Sequence, residues 1–87
     1  MLIAEKIQSL VTHARNGTAR EVVHLGVCTP YSGRNYDWDV TVAGLRERVQ
    51  VRLMGGKWRV SIDGLHHGES RDLVHAAFNA TRRAGLE

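Results

Sequence analysis

Eighty-seven residues, with 12 Lys and Arg against 9 Asp and Glu and a formal charge of +3, allow one domain with a single modest core. Cys28 is the one cysteine, which excludes an intrachain disulfide and points to a reducing compartment. Glu5 and Lys6 interrupt the N-terminal apolar pattern, which argues against a signal peptide or a membrane span, so a cytoplasmic protein is expected.

Leu2, Ile3, Ile7, Leu10, Val11 and Ala14 recur at three- and four-residue spacing and predict an amphipathic helix, stopped by Asn16-Gly17. Over 21–29, Val23, Leu25 and Val27 alternate with His24, Gly26 and Cys28, which predicts a strand. Pro30 and Ser32-Gly33 then mark a loop over 29–35.

From 36 to 63 apolar and polar residues alternate through three strands joined by Ala43-Gly44 and Gly55-Gly56, dipeptides suited to two-residue hairpin turns. The first turn would place Val42 opposite Leu45, Val40 opposite Glu47, Trp38 opposite Val49 and Tyr36 opposite Val51. The second would place Leu53 opposite Trp58, Val51 opposite Val60 and Val49 opposite Ile62. Apolar meets apolar throughout, except at Glu47. His66-His67 falls in the next connection and is expected as solvated turn. Ser70 is the expected N-cap of a last helix with Leu73, Val74, Ala77, Phe78 and Thr81 facing inward, ended by Gly85.

The expected fold is α+β, a two-layer sandwich in the order α-β-β-β-β-α, with an antiparallel meander sheet and both helices on its one apolar face. The expected core is Leu10, Val23, Leu25, Trp38, Val40, Val49, Val51, Val60, Ile62, Leu73 and Phe78. The strand over 21–29 could alternatively cross to the far edge, beside 58–62.

The opposite, polar face follows from the same register. An Asp39–Arg48–Asp63 ladder crosses its middle, Asp37 faces Gln50, and Thr41 faces Arg46. Arg52 faces Arg59, and Arg34 and Lys57 join them at one end without an internal counter-charge. Ten of the twelve cationic residues are Arg, which suits planar, multi-donor recognition.

Signatures of chemistry are sparse. His66, His67 and His75 lack a Cys or carboxylate at a ligand spacing, so neither a metal nor another cofactor is expected. Ser61, Asp63 and His66 lack the elbow and oxyanion loop of a nucleophile triad. Cys28 beside His24 is expected to be a buried structural thiol, and no phosphate loop is present. Helix, antiparallel strands, helix is also the order of the double-stranded RNA-binding domain. That family starts its last helix with lysines and has a Gly-Pro-x-His loop, whereas here Glu69-Ser70-Arg71-Asp72 stands at the helix start. The similarity is one of order only.

The expected function is therefore that of a non-enzymatic interaction or inhibitory protein, of the kind phages and mobile elements carry. It would bind a protein partner, at an acidic or nucleic-acid-binding surface, through the exposed Arg/Asp face and the loop 29–35. The binding residues are Arg34, Arg46, Arg52, Lys57, Arg59 and Tyr31, and no catalytic residue is assigned. Two alternatives use the same basic end: a nucleic-acid-binding module, and a metal-independent ribonuclease with Arg34, Arg52, Arg59 and Tyr31. A homodimer through 58–62 as edge strand is a further expectation.

Overall fold

A computed structural model describes residues 1–18, 21–31 and 36–87. The chain runs α1 (Ile3–Arg15), β1 (Glu21–Val22), β2 (Gly26–Pro30), β3 (Asp37–Val42), β4 (Val49–Met54), β5 (Lys57–Ile62), β6 (His66–Ser70) and α2 (Leu73–Arg83). The strands form one antiparallel meander in the order β1-β2-β3-β4-β5-β6. Both helices cover one face: α1 packs on β2 and β3, α2 on β5 and β6, and the helices touch each other. The α+β sandwich stands as expected, but the sheet has six strands rather than four.

The extra strands have separate causes. The predicted strand over 21–29 is broken by a turn at Val23–Leu25, leaving Val23 at 89% exposure instead of in the core. Beyond the turn, Gly26 and Cys28 pair with Val42 and Val40 and share their inward face, while Val27 points outward. A Cβ at Gly26 would lie 2.0 Å from the Thr41 carbonyl oxygen, so backbone takes the place a side chain would need. Strand β2 pairs beside β3, not at the far edge.

Strand β6 has no apolar side chain on its inward face because α2 lies directly on its backbone. Gly68 pairs with Val60, and a Cβ there would stand 2.1 Å from the Ala76 carbonyl oxygen and 2.6 Å from the Ala80 nitrogen. Small residues answer on the helix: Ala76, Ala77, Ala80 and Thr81 are buried, while Phe78 is only half-buried at the margin. The helix begins two residues later than expected: Asp72, not Ser70, is the N-cap and accepts the Val74 N–H at 3.3 Å, while Ser70 Oγ accepts the Asp72 N–H at 3.1 Å. Gly85, with φ +75°, ends it as expected.

The β4–β5 register is the expected one, Leu53 with Trp58, Val51 with Val60 and Val49 with Ile62. The β3–β4 register differs by two residues: Trp38 meets Val51 and Val40 meets Val49. A shift of two keeps every side chain on its face, and it replaces the Val40–Glu47 mismatch with a Val–Val pair. Ala43 and Gly44 still form a turn, closed by Leu45 N–H to the Val42 oxygen at 3.0 Å, but the chain then makes a wider passage through Glu47 to Val49. The remaining expected core residues, Leu10, Leu25, Trp38, Val40, Val49, Val51, Val60, Ile62 and Leu73, are buried. Ala4, Ile7, Val11, Val42 and Trp58 join them.

Candidate functional site

Alternation leaves the second face of the sheet uncovered, and the hairpin twist makes part of it concave. An open concavity of about 580 Å³ lies there, lined chiefly by outward residues of β3, β4, β5 and β6, with Trp38 and Val51 at its floor and Tyr31 just after β2. Tyr31, Arg52, Lys57 and Arg59 all line it, so four of the six predicted binding residues come together. Arg46 does not: it stands exposed in the β3–β4 connection, at the opposite end of the sheet. Arg34 lies outside the described residues.

The register shift changes the electrostatics of this face. Asp37 meets Arg52 rather than Gln50, and Arg52 Nε donates to Asp37 Oδ1 at 3.1 Å. Arg59 Nη1 lies 3.7 Å from Glu69 Oε1 on β6. Two of the cations expected to lack a counter-charge therefore have one. The Asp37 side chain is only 12% exposed, whereas the other three members of these pairs stand about half in solvent. Lys57, on the Gly55-Gly56 turn, has no carboxylate partner among the described residues.

Only part of the Asp39–Arg48–Asp63 ladder forms. Arg48 Nε reaches Asp39 Oδ1 diagonally at 3.7 Å. Asp63 instead takes the Arg48 backbone N–H on its carboxylate at 2.8 Å and donates its own N–H to the Arg48 oxygen at 2.7 Å. Exposed pairs of this kind contribute only about 0–1 kcal/mol each.

Strand β6 brings to the concavity two groups that sequence reasoning placed elsewhere, His67 in a turn and Glu69 at the start of the last helix. His67 and Glu69 point outward, opposite Ser61 and Arg59. His67 Nδ1 lies 2.9 Å from Ser61 Oγ. The Asp63-Gly64 dipeptide, with φ +55° and +69°, is a strong hairpin signal and could have revealed the strand. The period-two signal after it is missing, because Gly68 stands where a hydrophobe would be expected.

The other chemical candidates are dispersed. Among the described residues no group of three His, Cys, Asp or Glu side chains stands close enough to hold a metal ion. His66 lies on the inward parity of β6 and His67 on the outward, so they diverge. Cys28 is fully buried, and burial, with the Asp39 charge second, pushes its thiol up to about 12, while His24 sits in the β1–β2 turn. Strand β5 is not an edge, since β6 pairs along it, so the expected dimer contact through 58–62 has no free backbone to use. The edge on that side is β6, and Arg83 Nη1 donates to its His67 oxygen at 2.6 Å. Among the described residues, no helix is long and apolar enough to cross a membrane.

No family model, curated protein or solved structure matches this chain.

Proposed function

We propose that the protein acts by docking its open sheet face on a protein partner, as a small accessory or inhibitory protein would. The observation that carries this reading is the carboxylate partner held by each of Arg52 and Arg59, which makes the concavity an ordered mosaic of both charges. A phosphate backbone tracking across the whole face would meet Asp37, Asp39 and Glu69 in turn as repulsive groups, whereas a single phosphate at the Lys57 end would not. A protein surface can match each sign in turn, which gives discrimination and fast encounter. Tyr31 and Met54, both exposed beside Lys57, supply apolar contact area at one end.

The test is capture from lysate after nuclease treatment, comparing the wild type with Lys57→Glu/Arg59→Ser. Arg52 is retained, because its removal would strand the nearly buried Asp37. One protein retained at equal stoichiometry by the wild type and lost by the variant supports docking through this face. Equal retention by both refutes it. Oligonucleotide binding that weakens steeply with salt, with no protein retained, favours the nucleic-acid-binding module instead.

A further inference from the structure

The concavity contains more than a docking surface requires. His67 and Glu69 are two residues apart on the same side of β6, so their Cα atoms are about 7 Å apart. With Nδ1 of His67 2.9 Å from Ser61 Oγ, Nε2 is the ring nitrogen left for a ligand. Glu69 meets Arg59 at 3.7 Å, an ion pair too long for a hydrogen bond, so its carboxylate keeps its acceptor capacity. Arg52 and Lys57 line the same concavity. An acceptor carboxylate, an imidazole, Lys57 without a carboxylate partner among the described residues, and two half-exposed guanidinium groups with N–H donors beyond their one carboxylate contact surround one open site. They match the demands of phosphodiester transesterification.

We infer that this site cleaves single-stranded RNA, with Glu69 as general base, His67 as general acid, and Arg52, Lys57 and Arg59 holding the phosphate. Glu69 takes the proton of a ribose 2′-hydroxyl as its oxygen attacks phosphorus. The new O2′–P bond forms and the P–O5′ bond breaks, with its electron pair passing to O5′. The imidazolium of His67 gives O5′ a proton from Nε2. The products are a 2′,3′-cyclic phosphate and a 5′-hydroxyl end, and the base and acid recover when they exchange protons with water. No oxidant, reductant or further reactant enters. The guanidinium and ammonium groups stabilise the charge that builds on the phosphoryl oxygens. This goes beyond the docking reading and does not depend on it. A protein docked on the face would cover these groups, so docking and cleavage exclude each other on one molecule.

The experiment incubates the purified protein with an end-labelled single-stranded RNA and with DNA of the same sequence. The expected result is RNA cut to 2′,3′-cyclic phosphate ends while DNA, which lacks the 2′-hydroxyl, stays intact. Glu69→Gln and His67→Ala should each slow the reaction about 100-fold or more, the usual worth of a general base or acid. Arg83 binds the backbone oxygen of residue 67, so that contact survives both changes. Circular dichroism checks folding, and His67→Gln is used if His67→Ala melts. Intact RNA, bound or unbound, overturns the inference. So does cleavage of the DNA, or cleavage by the variants at the wild-type rate, which would mark a contaminating nuclease.

Discussion

Asp37 and Arg52 sit directly opposite each other on β3 and β4, with Nε and Oδ1 3.1 Å apart, and only the arginine has substantial access to water. The asymmetry makes the two partners unequal in value. Arg52→Gln leaves a nearly buried carboxylate without its cation and should cost about 1–3 kcal/mol. Asp37→Asn leaves a guanidinium that water can solvate, and should cost less than about 1 kcal/mol. Urea unfolding of the two single variants and the double variant would measure both costs and the coupling. Equal costs would show that Asp37 reaches solvent in the folded protein.

The contact of Gly68 with α2 predicts a purely steric sensitivity. Gly68→Ala puts a methyl group 2.1 Å from the Ala76 oxygen, and that atom belongs to a helix backbone that cannot turn aside. The expected loss is about 3 kcal/mol or more, at or beyond the upper end for overpacked sites. Gly64→Ala, in an open turn at φ +69°, serves as comparison and should cost about 1–2 kcal/mol through the left-handed conformation alone. The order of the two denaturation midpoints decides the point.

Cys28 should be silent towards thiol reagents in the native protein and react only on unfolding, because burial pushes its pKa from 9.0 to about 12. The fold therefore holds a proton that the unfolded chain releases between these values. Stability from this source is complete below pH 9 and is lost as pH rises towards about 12. Cys28→Ala should flatten the fall over that window, as read from thermal melts across pH.

Arg83 protects the free side of β6 by occupying the His67 oxygen at 2.6 Å. Arg83→Ala should cost about 1 kcal/mol and expose strand backbone that can pair with a second copy. Sedimentation at rising concentration would detect that association, and an unchanged monomer would show that α2 alone shields the edge.

Side-chain facing over residues 38–62 was legible because alternation is local: the pleat sends neighbours to opposite sides whatever the partner strand. The register of β4 with β5 was equally legible, because Gly55 and Gly56 leave one tight turn available. The β3–β4 register was not, since Ala43-Gly44 permits a turn without compelling a two-residue hairpin. A two-residue shift is invisible to alternation, and it changes the charge pairs between β3 and β4. On the candidate site the shift gave Arg52 a counter-charge, while Tyr31, Lys57 and Arg59 line the same concavity.

By itself the sequence determined two helices against one apolar face, the inward residues of the central strands, and an open polar face rich in arginine. The tertiary structure decided the rest. It broke 21–29 at a turn, made 66–70 a strand, and so brought His67 and Glu69 beside Arg59. The reason lies in where the information resides. Periodicity records how a segment meets water and core, but Gly26 and Gly68 answer to backbone atoms far along the chain, at Thr41 and at Ala76. A requirement for empty space leaves no hydrophobic pattern, and becomes visible only when the neighbour that fills that space is in place.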